Sequence, residues 1–189
     1  TAEGGAASFV ASPKKVQGLM KSISAGLSHT TTGGAAESRQ KMVAVGMVSN
    51  SLSLLAGMSL DAESCEAIAE GDGAKYLVDL VVGEDEAQRA QAIRVLRAVT
   101  GASASTHRAI GAEKANVQKL LTCLKANMHN EAVVADTLCV LNVLSGTCGI
   151  DKMGIDRDGM RAIQAAQSTY AANADVVASS GALVTALGA

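Results

Sequence analysis

The sequence is poor in aromatic residues and in proline, and this argues against several fold classes. Phe, Tyr and Trp together make up 2% of the 189 residues, Trp is absent, and there is one Pro. A β-sandwich would be expected to carry more aromatic side chains in its core. Apolar residues nevertheless reach 48%, and they are mainly small or aliphatic side chains that suit close helix packing. The composition therefore predicts an all-α protein that is long enough to bury a core.

A strong charge of either sign is also lacking. The chain has 16 Lys and Arg against 18 Asp and Glu, which gives a formal net charge of -2. Domains that bind nucleic acid or anionic lipid usually show a basic excess. We therefore predict no nucleic-acid partner.

Cysteine and histidine are sparse. None of the four Cys residues forms a Cys-x-x-Cys pair, which argues against zinc and thioredoxin-like sites. Cys123 and Cys139 fall in apolar helical segments, where a packed thiol is expected. Unpaired thiols favour an intracellular compartment, cytoplasmic or organellar. His29, His107 and His129 are scattered, so we predict no metal site, no cofactor and no enzymatic activity.

Two glycine-containing segments look superficially like ligand loops. The segment 71–75 precedes a predicted helix but lacks the spacing of a P-loop, so it is interpreted as a turn. The segment 156–159 lacks the closing Glu of a calcium loop and is interpreted as a helix start capped by Asp158. A third segment, residues 42–60, is 19 residues long without a charge. Its Ser and Asn residues favour a helix in a protein core over a membrane span, although association with an organellar membrane complex stays open.

Apolar helical segments recur along the chain at a nearly constant period. Those that end at Gly57, Gly101, Gly146 and Ala189 are separated by 44, 45 and 43 residues. Armadillo and HEAT arrays have periods of roughly 40 to 47 residues. The recurrence indicates a repeat protein.

The stretch Cys65–Gly101 shows one complete unit of this repeat. It contains a short helical piece with Ile68, a glycine-bearing turn, a second helix with Leu77, and a longer third helix with Leu96. This order resembles an armadillo repeat. The resemblance implies a right-handed α-solenoid of stacked three-helix repeats, about three and a half of them at this period.

The repeat register divides the chain as one continuous armadillo-like domain. The predicted units are a flexible end (1–12), a partial first repeat of two helices (13–57), a second repeat (58–101), a third repeat (102–146) and a fourth repeat (147–189). No polar cap is evident after the last helix, and solenoids need capped ends. We therefore expect either further repeats or a neighbouring subunit against the C-terminal end.

The armadillo resemblance implies a concave groove lined by the third helices. Peptide-binding members of the family, such as the importin-α and β-catenin types, use a recurring Asn there, and the matching positions here are Leu54, Ala98, Val143 and Ala186. None is Asn, so their grip on an extended peptide is not expected. The predicted groove residues are Asn50, Ser53, Leu54, Arg94, Arg97, Ala98, Cys139, Asn142, Val143 and Thr185.

Arg94 and Arg97 share one face of their helix. They form either a solvated basic edge that balances Glu84, Asp85 and Glu86, or an anchor for an acidic partner segment. The apolar groove positions favour a helical or hydrophobic partner segment, although an extended one stays open.

We therefore predict a non-catalytic armadillo-repeat scaffold or accessory subunit that mediates protein-protein interaction inside a larger assembly. Two alternatives stay open: a module that recognises linear peptides as importins and catenins do, and a regulatory armadillo domain of a longer chain.

Overall fold

The computed structural model describes residues 12–29, 37–57, 61–69, 72–111 and 113–188. Within these ranges it contains eleven α-helices and no strand, which confirms the all-α prediction. The helices are α1 (Pro13–His29), α2 (Glu37–Gly57), α3 (Ala62–Ala69), α4 (Gly73–Leu80), α5 (Glu86–Ala102), α6 (Ala104–Gly111), α7 (Lys114–Ala126), α8 (Glu131–Cys148), α9 (Ile150–Met153), α10 (Arg157–Thr169) and α11 (Ala174–Ala186).

Helices in equivalent positions along the chain pack against one another. The long helices α2, α5, α8 and α11 contact each other in that order, α4 contacts α7, and α7 contacts α10. Many side-chain hydrogen bonds between helices join residues 38 to 43 positions apart. The spacing of contacts in the fold therefore follows the spacing of similar segments in the sequence.

The helices α5, α8 and α11 each start with a side-chain N-cap. The side chains of Asp85, Asn130 and Asn173 each accept a hydrogen bond from the backbone N–H three residues on. Such a cap satisfies an N–H that has no partner within the helix, and losing it typically costs about 1 kcal/mol. The beginnings of α5, α8 and α11 are therefore encoded locally.

The helix start near residue 156 differs from the prediction. Asp156, not Asp158, caps α10, and its carboxylate accepts from Gly159 N at 2.7 Å. Asp158 lies inside the first helical turn and instead forms an ion pair with Lys125 of α7. The prediction was wrong because Asp at either position suits a helix N-terminus, so the local sequence does not distinguish between them.

Aliphatic side chains fill one continuous core that extends through all the units. Leu77, Leu96, Leu120, Leu141 and Ile163 are each fully inaccessible to solvent. Burying one such side chain contributes roughly 1.5 to 3 kcal/mol. α8 lies at the centre, where it contacts α5, α6, α7 and α11. The fold therefore rests on Leu, Ile and Val rather than on aromatic anchors.

Glycines set two of the tight connections. A Cβ atom on Gly73 would overlap the carbonyl oxygen of Ile68, so only glycine lets α4 begin this close to α3. Gly149 and Gly154 have φ of +82° and +65°, and they bracket the four-residue α9.

Some sequence predictions fall outside the described residues. The flexible end predicted over 1–12 does so except at Ser12, and so does Gly71. Two of the described helices begin within 13–57, and three begin within each of 58–101, 102–146 and 147–189. Two of these helices, α5 and α8, run past the predicted boundaries to Ala102 and Cys148, and the division into repeats stays a prediction.

One helix of the described ranges is long and apolar enough to cross a membrane by length and composition. It is α8, and 44% of its 18 residues are buried inside the protein. The central helix of a compact domain passes the same test, so a single case is weak evidence. The uncharged stretch 42–60 contributes only a shorter apolar segment, Val43–Gly57, to α2.

Candidate functional site

The ten predicted groove residues all lie on α2, α5, α8 and α11, and none is buried. Six are exposed and four are half-buried. The exposed ones are Asn50, Ser53, Leu54, Arg94, Ala98 and Thr185, and the half-buried ones are Arg97, Cys139, Asn142 and Val143. All ten are therefore accessible for contact.

A depression of about 400 Å³ lies where α2, α5 and the start of α8 meet, and we call it the central depression. Two of the predicted residues, Ser53 and Arg94, line it. The complete lining is Ser53, Ala56, Gly57, Ala90, Gln91, Arg94, Asn130, Ala132, Val133 and Asp136.

Side-chain amides hold α5 beside α2 at this depression. Gln91 Nε2 donates to Ser53 Oγ at 2.8 Å, and one turn earlier Gln88 Nε2 donates to Ser49 Oγ at 2.8 Å. Gln91 Oε1 is buried and meets no donor among the described residues. The paired amides fix the register of the two helices, so Ser53 acts mainly as part of this link.

Arg97 ties three of the long helices together. It donates to Asp136 Oδ1 at 2.7 Å and to Asp175 Oδ2 at 2.8 Å, which connects α5 to α8 and to the first turn of α11. The hydrogen bonds that Arg97 donates to these two carboxylates raise its pKa above the ordinary value. Its positive charge is therefore satisfied within the protein, and by Asp136 and Asp175 rather than by the acidic residues 84–86.

Arg94 differs from Arg97 although it lies one turn away on the same helix. Its side chain is exposed and forms no hydrogen bond or ion pair with the part of the chain that the structure describes. It borders the central depression, whose carboxylate, Asp136, is already bound by Arg97. Arg94 is thus the cation of this surface that is available to a partner.

An apolar stripe lies on α2, and its last member directly follows Ser53 of the central depression in the sequence. Its members are Val43, Met47 and Leu54, which are 64%, 41% and 52% exposed. They are 4 and 7 residues apart and so follow one side of the helix. The opposite side of α2 buries Val48 and Leu52 in the core. Large apolar side chains at this level of exposure, grouped on one helix, mark a contact surface.

Sequence analysis found Leu54 but missed Val43, Met47, Gln91 and Asp136. Sequence analysis missed the stripe because it interpreted the whole uncharged stretch 42–60 as a helix in the protein core. Its 4 and 7 spacing, offset from that of the buried residues, was the pattern that would have revealed it. No local sequence pattern indicates that Asp136 accepts a hydrogen bond from Arg97, because the two residues are 39 positions apart.

The structure brings only some of the predicted groove residues close together. Ser53 and Arg94 share the central depression, and Cys139 lies near Arg97. Asn142, Val143 and Thr185 lie further along α8 and α11, and no hydrogen bond or shared depression joins them to this group within the described ranges. The Thr185 hydroxyl donates to its own helix, at Gly181 O.

The Cys and His side chains do not assemble a nucleophilic dyad in the described ranges. Burial raises the pKa of the Cys123 thiol, which disfavours the reactive thiolate. Cys123 is packed as predicted, whereas Cys139 is only half-buried. Cys148 Sγ bonds the backbone oxygen of His107, while the His107 ring bonds Thr100 O and Thr147 Oγ1.

Metal ligands are not grouped in the part of the chain that the structure describes. No three His, Cys, Asp or Glu side chains there lie close enough to hold an ion. Within those ranges the candidate site therefore offers contact chemistry: an apolar stripe, a polar depression and one unpaired cation.

Comparison with known proteins adds no relative. No family model matches the chain, and neither a curated protein nor a solved structure matches it.

Proposed function

We propose that this chain is an armadillo-like α-solenoid that serves as a non-catalytic scaffold or accessory subunit and binds other protein subunits. The observation that carries the proposal is the combination of the exposed apolar stripe on α2 with the unpaired Arg94 on α5. Arg94 lines the central depression, Leu54 of the stripe directly follows its Ser53 in the sequence, and the Gln91–Ser53 hydrogen bond holds the two helices together. Such a surface suits protein contact.

The repeated contacts between equivalent helices support the solenoid part of the proposal. In a solenoid each unit leans on the next, so contacts recur at the repeat length. Lys119 reaches Asp79 over 40 residues, and the Tyr170 hydroxyl reaches Met128 O over 42. A closed bundle would not be expected to show such a constant spacing between residues 49 and 173.

The proposed mechanism is burial of this surface against a partner. Stable protein interfaces bury on the order of 1,200 to 2,000 Å² in total. A few central side chains usually supply most of the binding energy. Leu54 and Met47 are the candidates for that role, because each already projects a large apolar side chain from a rigid helix.

The test is co-purification of the tagged protein with its native partners. The test variant combines Leu54→Asp with Arg94→Glu, and the control combines Val82→Asp with Arg108→Glu. Val82 is 39% exposed in the turn before α5, and Arg108 is exposed on α6, so the control makes matched changes away from the candidate site.

The expected result is that wild type and control retain the same partners, while the test variant loses them at unchanged helicity by circular dichroism. Retention of every partner by the test variant would refute a scaffold role for this surface.

A further inference from the structure

The shape of the apolar stripe defines the length of chain that can lie along it. This inference rests on the proposed function. Val43 and Leu54 are 11 residues apart on one straight helix, which corresponds to about 16 Å at 1.5 Å per residue. A partner segment of about three helical turns covers that distance.

The polarity of the surface decides between an extended and a helical partner. An extended segment exposes its own N–H and C=O groups, and each needs a hydrogen-bonding partner once buried. The positions that would serve it, Leu54, Ala98 and Val143, carry no polar side chain. The Ser53 hydroxyl already accepts from Gln91. A helix satisfies its backbone internally and presents only side chains to such a surface.

The charge of the surface decides the sign of the partner's nearest charged group. Arg97 is neutralised by Asp136 and Asp175, whereas Arg94 has no ion-pair partner in the described ranges. Burying Arg94 under a partner without a counter-charge would be costly. A carboxylate at that point removes the cost and accepts two hydrogen bonds from the guanidinium.

We propose that the surface binds an amphipathic α-helix of a partner protein. The apolar face of that helix packs on Val43, Met47 and Leu54, and a Glu or Asp about one turn from this face pairs with Arg94.

Three 18-residue synthetic peptides test the proposal on the whole chain. The first is a helix-forming peptide with Leu at four positions of one face and one Glu beside them. The second carries Lys in place of that Glu, and the third keeps the Glu but has two central Pro residues that prevent a helix. Binding is measured by fluorescence anisotropy at low salt, and the contact surface is mapped from the methyl NMR signals of Val43, Met47 and Leu54.

The first peptide is expected to bind tightest. Its affinity should exceed that of the Lys peptide about fivefold, an advantage that shrinks at 0.5 M salt because exposed charges are screened. It should exceed that of the Pro peptide at least tenfold. Arg94→Glu should reverse the order of the Glu and Lys peptides, while Arg108→Glu leaves it unchanged.

Three results would overturn the inference. They are equal binding of the Pro peptide, equal binding of the Lys peptide, and absence of any shift in the methyl signals of the apolar stripe with all three peptides. Native co-purification that depends on Leu54 together with unresponsive methyl signals would leave the scaffold proposal standing and remove the helix. Native co-purification that ignores Leu54 and Arg94 would remove the scaffold proposal itself.

Discussion

Arg97 offers the sharpest test of how the long helices are held together. The replacement Arg97→Met keeps the aliphatic stem and removes the guanidinium. It breaks the bonds to Asp136 on α8 and to Asp175 on α11, and it leaves two carboxylates without their cation. We expect lower overall stability and a looser attachment of α11.

The two bonds of Arg97 differ in strength because their surroundings differ. Asp136 has a side chain only 16% exposed, but that of Arg97 is 38% exposed, and solvent screening places this charged hydrogen bond near the lower end of the usual range, about 1.5 kcal/mol. Asp175 is 58% exposed, and exposed ion pairs contribute about 0.2 to 1 kcal/mol. The expected loss in the free energy of unfolding is therefore about 2 kcal/mol.

Urea denaturation followed by circular dichroism measures this loss. Double-mutant cycles then separate the two bonds. The Arg97→Met and Asp136→Asn pair should show a coupling of about 1.5 kcal/mol, and the Arg97→Met and Asp175→Asn pair less than about 1 kcal/mol. Arg108→Met is the control, because Arg108 is exposed and unpaired in the described ranges.

Amide hydrogen exchange shows where the stability is lost. In Arg97→Met the amides of α11 should exchange faster, whereas those of α1 should change little, because α1 packs mainly on α2 while α11 packs on α8 and α10. The reasoning fails if the coupling to Asp175 exceeds that to Asp136, or if the total loss is no larger than in Arg108→Met.

Three further predictions concern helix ends, pH and glycine. Asp156→Ala should lower the free energy of unfolding by about 1 kcal/mol, and Asp158→Ala by less, because only Asp156 caps α10. The hydrogen bond and ion pair with Lys125 lower the pKa of Asp158 from its ordinary value near 3.8. The stability that this pair adds is therefore present above that value and is lost as the pH falls through the lower pKa of the folded state. Compared with wild type, Asp158→Asn should lose less stability between pH 5 and pH 2. Gly46→Ala, in open space within α2, should stabilise by roughly 0.5 to 1 kcal/mol, whereas Gly73→Ala should destabilise because its Cβ would overlap a backbone oxygen of α3. Urea denaturation measures all of them.

Helix positions were predictable where local chemistry sets them. Pro13 at the first position of α1 and glycine at the end of α2 follow from backbone preferences that act within a few residues. The choice between Asp156 and Asp158 failed because both suit a helix N-terminus. That choice depends on Lys125, which lies on another helix and pairs with Asp158.

The exposure of two predicted groove residues could be predicted from the sequence, but the contacts of the arginines could not. The repeat register placed Leu54 and Arg94 on the surface, and they are exposed. The register treated Arg94 and Arg97 as equivalents, yet one is unpaired in the described ranges and the other binds two carboxylates. Their difference depends on residues 39 and 78 positions away, and no pattern within one helix contains it.

The sequence by itself determined the helical class, the period of similar segments and most helix starts, because composition, apolar spacing and capping residues act over a few neighbouring positions. The tertiary structure alone decided which charged side chains form ion pairs within the protein and which apolar side chains of α2 stay exposed. Those outcomes depend on which helices become neighbours, and contacts across some 40 residues arise only when helices distant in the sequence pack together.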